Sequence, residues 1–388
     1  MSEPDPEPSF EFRTVPHLVV RPGAAGDLAA VLPDGDLSSV LLVTDAGVRS
    51  AGLTAGAEAS LTGAGLAVAV YDGVVADPPE RVVYAALETA RSAGADLVVG
   101  LGGGSSLDVA KLVAVLLSLP AGTELGSIYG VGKVPAPRTV PLVQVPTTAG
   151  TGSEVTAVAV VTVGEEVKMG VNSPQLLADV AVLDAGLTLS LPPHVTAHTG
   201  IDAMVHAIEA FTSKHEKNPL SDALAVAALR LHKANVAAAC EDGGDRPARA
   251  AMLLGANLAG QAFSNAPVAA VHALAYPVGG RFHVPHGLSN ALVLPHVLRF
   301  NGETHAAAYS GLGAVFGVGG DEAVAAMADW FEALSARLGV ERRLREVGIG
   351  EDDLPSMAES AMQHTRLLVN NPCEVSEADA LRIYRRAW

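Results

Sequence analysis

Cysteine and basic residues are scarce in this 388-residue chain. Only Cys240 and Cys373 occur, so no disulfide framework is indicated, and a reducing compartment such as the cytoplasm is expected. The 25 lysines and arginines are outnumbered by 42 acidic residues, which leaves a net charge of −17 and no basic block. Nucleic acid and anionic membranes are therefore poor partners for this chain.

Long hydrophobic runs are missing as well. No uninterrupted apolar stretch reaches the ~18–20 residues of a membrane span, and the Pro-, Glu- and Asp-rich residues 1–9 lack the features of a secretory signal. Hydrophobic residues nevertheless make up 49% of the chain and charged residues 17%, which predicts a globular protein with a large core. We expect two domains, because single cores usually stop growing near ~250–300 residues.

The first half alternates short apolar segments with helical ones. Strands are predicted for residues 14–20, 40–43, 67–71, 96–100 and 140–145, and a helix for residues 79–93. Short strands that alternate with helices are typical of an α/β fold with a parallel sheet.

The pattern changes near residue 190, where a short linker and a proline pair follow a strand end. Long Ala- and Leu-rich helices are predicted for residues 196–213, 219–239, 248–263, 326–338 and 377–386, the last with Ser376 as its N-cap. We therefore expect an α/β N-terminal dinucleotide-binding domain over residues 1–190. An all-α C-terminal metal-binding domain is expected over residues 191–388.

A strand, a glycine turn and a helix meet at Gly102, Gly103 and Gly104. No side chain blocks the approach to such a turn, and the first N–H groups of the helix favour a negative ligand. The segment therefore suits the phosphates of a dinucleotide, although a simple flexible turn has the same composition.

Asp45 ends the second predicted strand. A carboxylate there accepts hydrogen bonds from ribose hydroxyls and repels the 2′-phosphate of NADP. The alternative is a helix or turn cap before Gly47.

A carboxylate and an imidazole, Asp202 and His206, stand four residues apart in residues 199–211. At this spacing both project from one helical face, where one cation can contact both. A buried carboxylate needs either a cation or a hydrogen-bond network to stabilise it. The pair alone therefore fits both a bound cation and a structural network of hydrogen bonds. His272 lies in an apolar helical pattern, and His286 is expected in the loop that follows a Gly-Gly and Pro turn. Together, Asp202, His206, His272 and His286 offer three nitrogens and one oxygen as ligand atoms, a set that suits zinc or ferrous iron.

Four segments together resemble the iron-containing (group III) alcohol dehydrogenases. They are residues 102–111, 146–154, 199–211 and 271–287, and the resemblance covers nearly the whole chain from residue 12 onwards. It implies an oxidoreductase that transfers a hydride between NAD(H) and a small primary alcohol or aldehyde, with Fe2+ or Zn2+ polarising the substrate oxygen. It also implies a homodimer or larger homo-oligomer.

The resemblance assigns roles residue by residue. The metal ligands it implies are Asp202, His206, His272 and His286. The cofactor-binding residues it implies are Asp45, Gly102, Gly103, Gly104, Ser105, Asp108, Thr147, Thr148 and Lys168. On spacing alone His198 and His283 are alternative ligands, but the family pattern selects the first set.

One position departs from the family pattern. Many members carry a second histidine four residues after the position of His272, with the role of a proton relay, and here that position is Tyr276. The candidate relays are therefore Tyr276 itself and His283 in the same segment. Glu209, near the face of Asp202 and His206, is either a hydrogen-bond partner of a ligand or part of a structural ion pair.

Two other reactions stay open. A reductase of an oxo-acid or other anionic carbonyl compound, such as maleylacetate, needs a basic residue in the cleft, and Arg281 is a candidate. A metal-dependent lyase of the dehydroquinate synthase type shares the expected two-domain plan and produces no net NADH.

Overall fold

The computed structural model describes residues 9–164 and 167–388, so the acidic start of the chain lies outside it up to residue 8. The strands are β1 (His17–Val20), β2 (Ser39–Asp45), β3 (Ala67–Val74), β4 (Leu97–Gly102), β5 (Gly130–Val131), β6 (Leu142–Pro146), β7 (Val158–Val163), β8 (Val167–Asn172) and β9 (Val180–Leu183). The helices before β9 are α1 (Ala46–Ser50), α2 (Ala55–Gly63), α3 (Glu80–Ser92) and α4 (Gly104–Ser118). Those after it are α5 (Pro193–Thr212), α6 (Pro219–Glu241), α7 (Arg246–Asn265), α8 (Ala270–Phe282), α9 (His286–His305), α10 (Ser310–Phe316), α11 (Ala323–Leu338), α12 (Leu354–Ala361), α13 (Thr365–Leu368) and α14 (Glu377–Ala387).

The main sheet is parallel and has the strand order β1-β9-β6-β4-β2-β3. Its central strands are continuous apolar runs because helices cover both faces, and residues 40–43 of β2 are fully buried. The strand order reverses between β2 and β4, which opens a crevice at their carboxyl ends. The predicted α/β fold with a parallel sheet is confirmed.

A smaller sheet lies beside the main one, with the order β5-β8-β7. Strands β7 and β8 form an antiparallel hairpin, and β5 pairs with β8 in parallel. This sheet carries Lys168 on β8.

The described chain after β9 is mostly helical and contains no strand, in agreement with the predicted fold class. Helices α5, α6 and α7 pack together, and α8 and α9 pack against each other and, through α9, against α5. The predicted cap of the last helix is present, since the Ser376 hydroxyl accepts a hydrogen bond from the backbone N–H of Asp379 at 3.2 Å.

Helix α6 is long and apolar enough, by length and composition alone, to cross a membrane, with a mean hydropathy of 1.2. In the fold it packs against both α5 and α7. Its side chains Ala225, Ala228, Leu229 and Val236 are fully buried there. These side chains form the face of α6 that packs on its neighbours, and 39% of the apolar window is buried in the fold.

The predicted Gly-Gly and Pro turn before His286 is wrong, because α8 continues as a helix through Pro277 and both glycines to Phe282. A proline inside a helix removes one backbone hydrogen bond and disturbs the preceding turn. Here the Tyr384 hydroxyl of α14 donates to the Leu274 carbonyl at 2.7 Å, and Val278 is fully buried. Tertiary contacts therefore hold the helix across the proline.

Candidate active site

Four side chains that can bind a metal meet where α5, α8 and α9 converge. Asp202 and His206 lie one turn apart on α5, and His272 lies on α8. His286 is the first residue of α9, which corrects its predicted place in a loop. One ligand atom from each residue lies within 4.8 Å of all the others.

The two distances from Asp202 and the donor set fit a divalent cation. Asp202 Oδ1 is 3.6 Å from His286 Nε2 and 4.0 Å from His206 Nε2. An ion with bonds of about 2.1 Å can join two ligand atoms up to about 4.2 Å apart. Three imidazoles and one carboxylate are a combination that zinc and ferrous iron both accept.

The surroundings of Asp202 and His206, which are both buried, keep these two donors in the protonation states that metals require. The His286 side chain is 42% exposed. Burial lowers the pKa of His206 to about 3, so this imidazole is neutral at physiological pH. Its ring stacks on those of Phe263 and His272, and the distances between ring centroids are 4.3 Å and 4.8 Å. Burial alone would raise the pKa of Asp202, but the three neighbouring imidazoles and an amide lower it overall. The Asp202 carboxylate is therefore ionised.

Glu209, one turn after His206, fixes the orientation of His272. One Glu209 oxygen is 2.6 Å from His272 Nδ1, and the other accepts the backbone N–H of Val271 at 2.6 Å. Burial alone would lower the pKa of His272, but the charge and hydrogen bond of Glu209 raise it overall. A proton on Nδ1 leaves the Nε2 lone pair directed at the cluster.

Asn290 also contacts the cluster, which the sequence reasoning missed. It lies on α9 one turn after His286 and is fully buried. Its amide nitrogen is 2.7 Å from Asp202 Oδ1. The signal that could have found it is its four-residue spacing from His286, which is informative only if both residues are helical.

The close approach of α9 to α5 depends on Gly287. A Cβ at this position would lie 2.3 Å from the backbone oxygen of His198 and 3.4 Å from Asp202 Cβ. The missing side chain therefore lets the first turn of α9 bring His286 next to Asp202. His198 supplies this backbone contact and is not among the clustered donors.

A cavity of about 660 Å³ opens between the carboxyl edge of the sheet and the helical half. All four clustered residues line it. From the other side it is lined by the predicted cofactor-binding residues Gly104, Ser105, Asp108 and Lys168. The helix α4 starts here without a side-chain cap, so its first backbone N–H groups are available to an anion.

The other predicted cofactor-binding residues do not line this cavity but lie around the glycine turn at its edge. Thr147 donates its backbone N–H to Gly102 at 2.9 Å. Thr148 packs against Gly103. Asp45 caps α1, since its Oδ1 accepts the backbone N–H of Val48 at 2.9 Å. Its Oδ2 faces Gly102 across the reversal between β2 and β4.

Asp108 and Lys168 already have protein partners. Asp108 accepts hydrogen bonds from the Ser153 hydroxyl at 2.6 Å and from the backbone N–H of Val160 at 2.9 Å. Lys168 forms an ion pair with Asp77. Both residues therefore also stabilise the walls of the cavity.

The loop after β6 connects the two halves of the molecule beside the cavity. A Cβ at Gly152 would lie 2.6 Å from the Cα of Gly260 on α7, and Gly152 has a φ of 58°. Asn257 of α7 donates to the buried carboxylate of Glu154 at 2.9 Å. These contacts set the position of the loop relative to the helices that carry the cluster.

The two candidate proton relays lie in different surroundings. Tyr276 lines the cavity, and its ring centroid is 6.2 Å from that of His286 and 4.8 Å from that of His364. His283 is exposed at the end of α8 with a φ of 56° and is not among the residues that line the cavity. The structure therefore does not bring His283 to the site, because α8 extends past the predicted turn and ends there.

Basic residues at the cavity also differ from those expected. Arg281 lies 3.6 Å from Asp353, outside the cavity lining, so it is not the basic residue of the cleft. Arg366 lines the cavity instead, together with Lys168. No motif marks Arg366 in the sequence.

Comparisons with known proteins cover most of the chain. The family model described as "Iron-containing alcohol dehydrogenase" matches residues 16–185, and "Fe-containing alcohol dehydrogenase family, C-terminal" matches residues 196–388. Long-chain-alcohol dehydrogenase 1 of Geobacillus thermodenitrificans is 41% identical over 362 residues, which are 90% of this chain and 89% of that protein.

Solved structures show the same fold. A 1,3-propanediol oxidoreductase superposes with a TM-score of 0.91 at 33% identity and covers 98% of this chain and 100% of its own. Sulfoacetaldehyde reductase from Bifidobacterium kashiwanohense in complex with NAD+ has a TM-score of 0.86 at 28% identity, with 98% of both chains covered.

Proposed function

Since the chain belongs to the iron-containing alcohol dehydrogenase family, we propose that it transfers a hydride between NAD(H) and a small primary alcohol or aldehyde. Residues 1–190 would bind NAD, and residues 191–388 would hold a divalent metal, Fe2+ or Zn2+. The metal ligands we propose are Asp202, His206, His272 and His286. One observation carries the proposal: these four side chains line the same cavity as the N-terminus of α4, where no side chain caps the helix.

Each set of residues has a defined task in this reaction. A bound divalent cation lowers the pKa of an alcohol and polarises an aldehyde carbonyl, and NAD exchanges the hydride. The backbone N–H groups at Gly104 and Ser105 would bind the diphosphate. The carboxylate of Asp45 would accept the ribose hydroxyls and disfavour NADP.

Tyr276 is the proton relay that we propose. It lines the cavity, close to His286. Burial raises the pKa of its phenol, so the group stays protonated at physiological pH and can both donate and accept a hydrogen bond. A Tyr276→Phe variant should lose turnover more than substrate affinity, since its ring is retained while the hydroxyl is removed.

The reaction is tested with protein reconstituted with Fe2+ or Zn2+, NAD(H) and a panel of primary alcohols and aldehydes. The expected result is a change in NADH absorbance that His272→Ala abolishes, while NAD+ binding stays within about threefold of the wild-type value. His305→Ala, at an exposed residue of α9, is the matched control and should remain active. A metal-free His272→Ala protein with wild-type turnover would refute the ligand assignment, and turnover without net NADH would indicate a lyase.

A second candidate, a reductase of an anionic carbonyl compound, is supported by Arg366. Its Nη2 lies 3.6 Å from the position of a Cβ at Gly170, so the guanidinium reaches across the cavity towards β8. Lys168 is already paired with Asp77. Within residues 9–164 and 167–388, no carboxylate lies within 4.0 Å of the Arg366 guanidinium, which leaves it available to a substrate anion.

Kinetics with two aldehydes of similar length separate the candidates. If Arg366 binds a substrate anion, Arg366→Ala should lower kcat/KM for 4-oxobutanoate by roughly 10- to 100-fold, because a hydrogen bond to a charged group contributes ~1.5–3 kcal/mol. Pentanal should be nearly unaffected, and Arg366→Lys should retain part of the preference. Equal losses for both aldehydes, or a higher Kd for NADH, would eliminate this candidate.

A further inference from the structure

The amide of Asn290 lies among the atoms that we propose as metal ligands. Its Nδ2 is 2.7 Å from Asp202 Oδ1, 3.3 Å from His272 Nε2 and 3.4 Å from His286 Nε2. Three of the four donors therefore contact a single nitrogen of a side chain that is fully buried.

The chemistry of the neighbours determines which way this amide faces. The Asp202 carboxylate only accepts hydrogen bonds, so it attracts the NH2 group of Asn290 and repels its carbonyl oxygen. In this orientation Asn290 Oδ1 is buried and has no hydrogen-bond partner among the residues that the structure describes. A buried unpaired carbonyl is unfavourable, so the contact with Asp202 must outweigh that cost.

The two hydrogens of the amide match the acceptors around it. One hydrogen is directed at Asp202 Oδ1. The other is available to the Nε2 atoms of His272 and His286, which lie 3.3 Å and 3.4 Å from the amide nitrogen. Because the Nδ1–H of His272 donates its hydrogen bond to Glu209, the Nε2 lone pair of that ring is free to accept one from the amide. Asn290 thus lies next to the nitrogen atoms that would bind a cation.

We propose that Asn290 is a positioning residue for the metal site. It holds Asp202, His272 and His286 in a ligand arrangement before a cation binds, and its hydrogen bond to Asp202 orients the carboxylate once a cation is bound. The inference rests on the proposed metal site. Without Asn290, three side chains must be ordered at the moment of binding, which weakens the affinity.

The test measures Zn2+ affinity by competition with a chromophoric chelator, and thermal unfolding with and without Zn2+. Asn290→Ala should bind Zn2+ roughly 10- to 100-fold more weakly than the wild type, as expected for partners of metal ligands. Asn301→Ala is the matched control, since Asn301 is a buried asparagine on the same helix that bonds to Tyr309 and Asn371 away from the cluster. It should lower the Tm but change Zn2+ affinity less than about threefold.

Two further measurements keep the inference testable. Asn290→Asp places a second carboxylate against Asp202, so the metal-free Tm should fall and Zn2+ should raise it by more than in the wild type. If Asn290→Ala does not fold, Asn290→Ser replaces it, because serine keeps a polar group that is too short to reach Asp202.

The outcomes separate this inference from the proposed function. An Asn290→Ala or Asn290→Ser protein that binds Zn2+ as tightly as the wild type overturns the role of Asn290. The role of Asn290 is also overturned if Zn2+ raises the Tm of Asn290→Asp by the same amount as that of the wild type. A wild-type chain that binds neither Zn2+ nor Fe2+ overturns the proposed metal site itself.

Discussion

At the scale of single residues, the pair formed by Glu209 and His272 controls one proposed ligand. Both Glu209 oxygens accept an N–H group, one from His272 and one from the backbone of Val271. Glu209→Gln keeps the shape but offers one acceptor and one donor, so one of the two N–H groups faces another N–H. We expect metal affinity to fall roughly 10- to 100-fold, measured by chelator competition.

A surface glutamate provides the control for this prediction. Glu241 pairs with Arg337 on the surface, and both side chains are more than half exposed. Glu241→Gln should therefore leave metal affinity unchanged. Equal effects of the two substitutions would show that Glu209 acts through general stability and not through the orientation of His272.

Residue-level reasoning from the sequence reaches only side chains that a helical period or a family motif marks. The four-residue spacing of Asp202 and His206 brings them together, and the structure places them on one face of α5. Asn290 obeys the same spacing from His286, but the signal is lost when His286 is expected in a loop. Arg366 comes close to the site only through the fold, so no local pattern identifies it.

At the scale of elements, the packing of α9 on α5 depends on Gly287. A methyl group at this position would meet the backbone of His198 at 2.3 Å, and backbone cannot rotate away. Gly287→Ala should therefore push the two helices apart, lower stability by ~1–3 kcal/mol and weaken metal binding at least tenfold. Urea unfolding and Zn2+ titration measure the two effects.

Gly63 is a matched control, because it is a helical glycine at which an added methyl group would meet no atom within 4 Å. Gly63→Ala should be neutral or stabilise by up to ~1 kcal/mol, since alanine restricts the unfolded chain. If Gly287→Ala behaves like Gly63→Ala, the close approach of α9 and α5 is not required for the site.

Helices and strands, like single residues, can be predicted only where the signal is local in the sequence. The buried strands and the start of α4 are predictable because their apolar runs and glycine turn are local signals. The continuation of α8 is not, because Pro277 and the two glycines locally favour a turn. Burial of Val278 and the hydrogen bond from Tyr384 come from distant parts of the chain.

At the scale of the whole molecule, buried neutral histidines make the metal-free protein sensitive to acid. Burial lowers the pKa of His206 to about 3 and the pKa values of His232 and His296 to about 4. Between pH ~6.5 and ~4 the unfolded chain binds protons that the folded chain does not. The free energy of unfolding should therefore decrease as the pH is lowered, by up to ~1.4 kcal/mol per pH unit for each histidine.

Denaturant unfolding at a series of pH values measures this slope. His232→Leu removes one of these groups at a position outside the proposed metal site, so the slope should decrease by up to ~1.4 kcal/mol per pH unit. An unchanged slope would mean that His232 is already charged in the folded protein. The expected homo-oligomer and cytoplasmic location stay predictions, which gel filtration and cell fractionation can test.

The pairing of β1 with β9 has a consequence for the synthesis of the protein. Strand β1 leaves the ribosome early, yet its neighbour in the sheet is residues 180–183. At roughly 5–20 residues per second, the first strand waits about 8 to 32 seconds for its partner. During that interval the nascent chain exposes an unpaired strand, so chaperones have a defined segment and a defined time in which to act.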